Sequence, residues 1–175
     1  MAKINWNKIE RLVVVIDAAN LEKSAQSLRM KVHYTKLKRF FEQRGQLKGI
    51  RFYTAAFGTN NHQDFLESLK RRGYVLITKP IKEIVNKDIT EKIRKANFDV
   101  EITMDVMDLM GEFDTLILFS GDSDFDCLVQ RVRNRGKKVF VFSTQYHISR
   151  ELIYSCNRYI DIREYKKDLL KSMGQ

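Results

Sequence analysis

The 175-residue chain has little of the residues that form cross-links and zinc sites. It contains two cysteines, three histidines and one proline. Cys127 and Cys156 give neither a disulfide framework nor metal-ligand spacing, and His33, His62 and His147 show no zinc-binding spacing either. A reducing, cytoplasmic location is the simplest expectation from this cysteine usage. Cys127 itself is expected to be a small core residue of a helix.

Long apolar runs and glycine-rich phosphate loops are also missing. No apolar run reaches the roughly 18 residues that span a bilayer, and the polar N-terminus has no signal-peptide core. The sequence therefore predicts no membrane segment. The absence of both common phosphate loops argues against a phosphatase or nucleotide-binding protein. With 43% hydrophobic and 11% aromatic residues, the chain is expected to be globular.

Positive charge is in excess and is unevenly distributed. There are 32 Lys and Arg against 22 Asp and Glu, a formal net charge of +10. Between residues 23 and 63 the only acidic residue is Glu42, and further basic clusters lie at 70–72 and 131–138. Single lysines are commonly solvated helix residues, but basic clusters attract polyanions, so the sequence predicts contact with nucleic acid. The candidate contacts are Lys36, Arg39, Arg71 and Arg72.

Apolar strands alternate with amphipathic helices along most of the chain. Residues 12–16 and 115–119 are apolar without alternation, which is typical of strands that are covered on both faces. Residues 33–44 carry apolar side chains three and four positions apart, which indicates a helix. This alternation predicts βαβ units and a mostly parallel sheet. We therefore expect an α/β protein, a three-layer α/β/α sandwich.

The length predicts one domain. Its expected limits are 11–162, with an N-terminal extension at 1–10 and a charged C-terminal helix or tail at 163–175. Residues 81–96 fit a short edge strand, an extended excursion or a ragged helix. In the helix expected over 99–110, the predicted core-facing residues are Val100, Met104 and Met107, with Ile102 as a further candidate.

Acidic turns follow the two most apolar strands. Asp17 and Asn20 come after the first strand, and Ser120-Gly121-Asp122-Ser123-Asp124-Phe125 comes after residues 115–119. The carboxyl ends of parallel strands meet at one edge of a sheet, where α/β proteins usually place their chemistry. The two turns therefore predict one shared acidic pocket. Alternatively, Asp17 and Asp124 merely cap the helices that follow them.

A third acidic group begins the helix at Asp99. The helix dipole alone would favour a carboxylate there, whereas Asp105 lies between two apolar residues at the boundary of a helix face. If these carboxylates converge with those of the two turns, their repulsion requires a cation. Carboxylate oxygens with water select Mg²⁺ or Mn²⁺. Such ions activate water for phosphodiester hydrolysis, a chemistry that needs no nucleophilic Ser or Cys.

Taken together, these motifs resemble the NYN family, the LabA-like branch of the PIN nuclease superfamily. Asp17-Ala18-Ala19-Asn20 resembles the opening IDxxN motif, and Phe98 to Asp105 resembles the VDVxLxxD helix start. Leu118 to Phe125 resembles the SGDSDF signature, and Gly136-Lys137-Lys138-Val139 is similar to the GKxV that follows the next helix. The similarity covers about residues 12–142.

The resemblance implies a PIN-like sandwich and a metal-dependent ribonuclease that acts on single-stranded or structured RNA. Asn20 and Ser120 would be supporting polar groups, and Lys95 would reach a phosphate. Members of the family differ in whether they retain activity, so the alternative is a weak or inactive RNA-binding regulatory module. Carried over by position, the catalytic and metal-binding carboxylates would be Asp17, Asp99, Asp105, Asp122 and Asp124.

Three tyrosines leave the oligomeric state open. Tyr146, Tyr154 and Tyr159 are candidates for stacking on bases or for pairing the subunits of a homodimer. Partial burial in the core is the simpler interpretation.

Overall fold

The computed structural model describes Trp6 and residues 10–80, 82–85, 92–95 and 97–173, with the backbone alone for 82–85 and 92–95. Within these residues the helices are α1 (Ala18–Ser27), α2 (Tyr34–Glu42), α3 (Asn60–Arg71), α4 (Asp99–Asp108), α5 (Asp126–Asn134), α6 (Arg150–Ser155) and α7 (Lys166–Leu169). Short 3₁₀ turns lie at Leu109–Gly111, Ser123–Phe125 and Ile162–Tyr165.

A six-stranded sheet lies at the centre of the described chain. Its strands are β1 (Arg11–Asp17), β3 (Gln46–Ala56), β4 (Tyr74–Pro80), β7 (Thr115–Phe119), β8 (Lys138–Ser143) and β9 (Arg158–Asp161). Their order is β4-β3-β1-β7-β8-β9, and every neighbouring pair is parallel. The predicted parallel sheet is confirmed.

Helices cover both faces of this sheet. Leu12, Val14 and Ile16 of β1 pack into one buried cluster together with residues of α1, α2 and α3. The alternate residues Val13 and Val15 pack into a second cluster with residues of α4, α5 and α6. Because both faces are covered, every position from 12 to 16 is buried, which explains the unbroken apolar run. The fold is the expected three-layer α/β/α sandwich.

The strand order reverses next to β1. From β1 the chain first builds β3 and β4 on one side of it, and then returns to build β7, β8 and β9 on the other. At such a reversal the loops after the two adjacent strands diverge and leave a crevice at the carboxyl edge of the sheet. The loops after β1 and β7 carry the two acidic turns.

Helix α4 turns a different face to the core than the sequence predicted. Ile102 and Val106 are buried, whereas Val100 is 66% and Met104 61% exposed. The predicted core face was wrong at these two positions, because apolar residues surround this helix and periodicity alone could not choose a face. Met107 does pack against the core. Cys127, expected to be buried, is exposed, and Cys156 is buried.

Two short antiparallel pairs lie outside the central sheet. In the region that the sequence left open, β5 (Lys82–Val85) pairs with β6 (Lys92–Lys95). Ile81, 86–91 and Ala96 lie outside the described residues. At the C-terminal end, β10 (Leu170–Ser172) follows α7 and pairs with β2 (Met30–Val32). None of the described helices is both long and apolar enough to cross a membrane.

Candidate active site at the carboxyl edge of the sheet

The turn after β1 fixes both oxygens of Asp17. Its Oδ1 accepts hydrogen bonds from the backbone N–H of Ala19 at 3.1 Å and of Asn20 at 3.4 Å, which caps α1. Its Oδ2 accepts a hydrogen bond from Asn20 Nδ2 at 2.5 Å. The capping interpretation is therefore correct for Asp17, but it uses only one oxygen. The other oxygen is oriented by the side chain of Asn20.

The turn after β7 is held by its own side chains. Ser120 is buried, and its Oγ accepts a hydrogen bond from the Asp122 N–H at 3.2 Å. Asp122 in turn accepts the Asp124 N–H at 3.1 Å and so caps the 3₁₀ turn. The cap is therefore Asp122, whereas Asp124 was the residue that the sequence favoured for that role.

Gly121 allows this turn to touch a neighbouring loop. A Cβ at this position would lie 1.8 Å from the backbone oxygen of His147. The Gly121 carbonyl also accepts a hydrogen bond from the Ser149 N–H at 2.9 Å. Only glycine fits such a close approach, so the glycine of the sequence motif sets the position of Asp122 relative to the loop after β8.

Asn20 joins the two acidic turns. While its Nδ2 donates to Asp17, its Oδ1 accepts a hydrogen bond from the Gly121 N–H at 3.4 Å. One amide side chain therefore ties the end of β1 to the end of β7. This contact spans 101 residues of sequence.

A third carboxylate reaches the same crevice from α4. Asp99 is the first residue of this helix, and its N–H donates to Asn97 Oδ1 at 2.9 Å. Asp17, Asp99 and Asp122 line one cavity of about 430 Å³, which we call the acidic cavity. Its other polar lining residues are Asn20, Glu22, Tyr53, Thr54 and Asn97. The shared acidic pocket predicted from the two turns is thus present.

The carboxylates in this cavity disfavour one another's charge. Burial raises the pKa of Asp17, and the negative charge of Asp99 adds to this effect against the hydrogen bonds from Asn20. Burial also raises the pKa of Asp99, with contributions from the charges of Asp122, Asp124 and Glu101 against the hydrogen bond with Asn97. A bound cation would relieve this repulsion.

Two of the expected site residues lie elsewhere. Asp105 Oδ2 accepts hydrogen bonds from the Tyr53 hydroxyl at 2.6 Å and from Arg51 at 3.2 Å, and Asp105 does not line the acidic cavity. Asp124 is exposed on the 3₁₀ turn and also does not line it, although its charge reaches Asp99. Asp105 therefore contacts the cavity through Tyr53, which is one of its walls.

The donor set suits a hydrated ion of the Mg²⁺ type. Among the described residues, no three His, Cys, Asp or Glu side chains form a group that could hold a metal ion. Mg²⁺, however, usually keeps several waters and takes one or two carboxylates together with phosphate oxygens. Asp17, Asp99 and Asp122 offer only oxygen atoms, so one or two of them with waters suit such an ion better than zinc.

The basic residues singled out in the sequence lie on α2 and at the end of α3. Arg39 and Arg71 are exposed, and Lys36 Nζ donates to the Lys167 carbonyl at 3.4 Å. Arg72 donates to Thr35 Oγ1 at 3.0 Å and so connects the two helices. Lys95 ends β6, and its side chain lies outside the described part of the chain.

Sequence reasoning missed four polar walls of the acidic cavity: Glu22, Tyr53, Thr54 and Asn97. Glu22 is five residues after Asp17, outside the i+3 and i+4 positions that share a helix face, so the spacing gave no signal for it. Tyr53 pairs in register with Asp17 across β1 and β3. That register cannot be read from the sequence without knowing which strands are neighbours.

Comparison with known proteins places the chain among relatives of the same architecture. It is 27% identical over 165 residues to the Low amplitude and bright protein LabA of Synechococcus elongatus, covering 93% of this chain and 89% of that protein. A crystal structure of a protein of unknown function from Vibrio parahaemolyticus superposes with a TM-score of 0.76 at 26% identity. The match covers 97% of this chain and all of that one.

A family model for the NYN domain matches residues 11–163, which include both acidic turns and the start of α4. This match covers far more than half of the chain. The chain belongs to the NYN domain family, within the PIN-like nuclease superfamily.

Proposed function

We propose that the acidic cavity is the active site of a Mg²⁺- or Mn²⁺-dependent ribonuclease, which hydrolyses RNA phosphodiester bonds with water. One observation carries the proposal. Asp17, Asp99 and Asp122 come from three separate elements and line one cavity at the point where the strand order reverses. PIN-like nucleases generally use divalent metals, and this donor set suits such ions.

Each residue has a defined part in this proposal. When bound, a divalent ion would supply an activated water and would stabilise charge on the phosphate. One or two of Asp17, Asp99 and Asp122 would hold it together with waters and a phosphate oxygen, and Asn20 would fix the orientation of the Asp17 carboxylate through its hydrogen bond to Oδ2. Ser120 would fix the backbone of Asp122.

Asp105 and Asp124 would act on the site without binding the ion. Asp105 would position Tyr53 through the 2.6 Å hydrogen bond. Asp124 would add negative potential at the edge of the cavity. The preference for RNA rests on membership of the NYN family, and the excess of positive charge supports a polyanionic substrate.

The test is cleavage of end-labelled single-stranded RNA by the wild type and by Asp17→Asn in Mg²⁺, Mn²⁺ or EDTA. Asparagine also caps helices well, so the variant should fold. Asp64→Asn, an exposed aspartate of α3, is the matched control. Cleavage by the wild type and the control with metal, and none with Asp17→Asn or EDTA, supports the proposal. Equal cleavage by all three proteins contradicts it.

A non-catalytic RNA-binding module is the second candidate. It is favoured by the absence, among the described residues, of any three-residue group that could hold a metal alone. This candidate predicts salt-dependent RNA binding without product in either metal.

A homodimer stays a prediction; Tyr146 and Tyr154 are exposed, whereas Tyr159 is half-buried and donates to Asp161 Oδ2 at 3.2 Å.

A further inference from the structure

A second cavity, of about 730 Å³, opens beside the acidic one. The two share three lining residues, Glu22, Thr54 and Phe57. We call the second cavity the aromatic groove. Because its walls are continuous with those of the acidic cavity, a strand held in one would extend directly into the other.

Aromatic rings form much of the aromatic groove. Tyr34, Phe57, His62 and Phe65 all line it. Phe57 is 42% exposed, and its ring meets that of His62 edge-on, with centroids 4.8 Å apart. His62 Nε2 lies 2.9 Å from the carbonyl oxygen of Ala55, which fixes the imidazole. An exposed face of Phe57 is therefore held in a defined orientation by a rigid neighbour.

The rest of the lining is neutral or positive, apart from one carboxylate. Lys31, Arg72 and Lys171 supply positive charge, and Glu22 is the single carboxylate among the described lining residues. Glu22 is engaged by the Tyr34 hydroxyl at 3.3 Å. Gln26, Thr35 and Asn61 add neutral hydrogen-bonding groups. Stacking surfaces with amide edges and nearby cations are the features that bind an unpaired base and its phosphate.

We infer that the aromatic groove receives one unstacked base of an RNA strand whose adjacent phosphate lies in the acidic cavity. This inference rests on the proposed function and adds to it a binding site for one base. Phe57 is the stacking residue, and Arg72 and Lys171 contact the backbone. A buried apolar side chain of a protein partner would fit the rings, but it would leave the three cations without a matching charge.

The experiment measures binding of a fluorescein-labelled single-stranded oligouridylate by anisotropy. A second set of probes lacks one base at a time and carries an abasic ribose instead. All proteins carry Asp122→Asn so that the probe stays intact. The test variant adds Phe57→Ala, and the control adds Ile153→Ala, an apolar residue of similar exposure that lies outside the groove.

Stacking on one aromatic residue predicts a loss of roughly fivefold or more in affinity. We expect this loss for Phe57→Ala on the intact probe, and the same loss for the protein with Phe57 on one abasic probe. Phe57→Ala on that abasic probe should bind no more weakly than either single change does, and Ile153→Ala should leave affinity unchanged. Duplex RNA should be bound no more tightly by the protein with Phe57 than by Phe57→Ala.

Independent, additive losses overturn the inference, as does equal binding by Phe57→Ala and its parent. Either result leaves RNA binding itself intact, so it is distinct from failure of the proposed function, which would appear as no RNA binding and no cleavage. Loss of probe affinity in Phe57→Ala that is identical for every abasic position also overturns the inference, because it would indicate a backbone contact.

Discussion

Asn20 donates a 2.5 Å hydrogen bond to Asp17 and also accepts one from the backbone of Gly121. One amide thus sets the orientation of a carboxylate and the spacing of two strand-end turns. Residues that orient metal ligands typically change activity about 10- to 100-fold when they are removed.

We therefore expect Asn20→Ala to lower the cleavage rate by about 10- to 100-fold, with RNA affinity nearly unchanged. The measurement is single-turnover cleavage together with RNA binding in EDTA. Asn134→Ala, an exposed asparagine at the end of α5, is the control and should behave as the wild type. Equal losses of binding and of rate in Asn20→Ala would instead indicate a disrupted fold.

Gly121→Ala should destabilise the protein, because the added Cβ would meet the backbone oxygen of His147 at 1.8 Å. Backbone cannot move aside as a side chain can, so the cost is expected to be about 2–3 kcal/mol in the free energy of unfolding. Urea unfolding measures it. Gly111→Ala is the control, since nothing lies within 4 Å of a Cβ there. Similar midpoints for both variants would contradict the tight contact.

Tyr53→Phe should remove the hydrogen bond to Asp105 and with it the positioning of a cavity wall. A hydrogen bond to a charged group contributes about 1.5–3 kcal/mol to stability. Tyr159→Phe is a matched control, because its hydroxyl also donates to an aspartate, Asp161, away from the acidic cavity. Both variants should lose stability, but only Tyr53→Phe should lower the cleavage rate. Equal rates in the two variants would exclude a positioning role.

Asp99→Asn should leave the metal-free protein as stable as the wild type, or more stable, at neutral pH. The pKa of Asp99 is raised by burial and by neighbouring carboxylates, so its ionised form destabilises the fold. The wild type therefore has its full stability below the pKa of an aspartate in the unfolded chain, about 4. It loses stability as pH rises through the higher pKa of Asp99 in the folded protein. The advantage of Asp99→Asn should therefore grow with pH above about 4 in urea unfolding.

With Mg²⁺ or Mn²⁺ present, the wild type should become more stable than Asp99→Asn. A ligand that binds only the folded state stabilises it by mass action, by about 2.7 kcal/mol at a hundredfold excess over its dissociation constant. In thermal unfolding, added metal should raise the midpoint temperature of the wild type and change that of Asp99→Asn little. The same increase in both proteins would place any metal away from Asp99.

The sequence predicted the features that depend on local pattern. Unbroken apolar runs identified β1 and β7, and the polar residues that follow them identified the two acidic turns. The parallel sheet then required those turns to share one edge. Asp17, Asn20 and Asp122 could therefore be predicted as site residues from the sequence alone.

Features that depend on contacts between residues far apart in the sequence could not be predicted from it. Asp105 has the composition of a ligand, yet it pairs with Tyr53 and Arg51, which lie 52 and 54 residues away. The buried face of α4 was mispredicted because its apolar residues surround the helix and only packing selects among them. The walls Tyr53 and Thr54 required the register between β1 and β3.

The most direct test compares single-turnover RNA cleavage by Asp122→Asn and Asp126→Asn in Mg²⁺. The two aspartates lie at the two ends of one short turn, but only Asp122 lines the acidic cavity, and Asp126 instead accepts from Gln130 at 2.7 Å. If the acidic cavity is the active site, Asp122→Asn loses cleavage and Asp126→Asn retains the wild-type rate. Wild-type cleavage by Asp122→Asn would contradict the assignment of the acidic cavity as the active site.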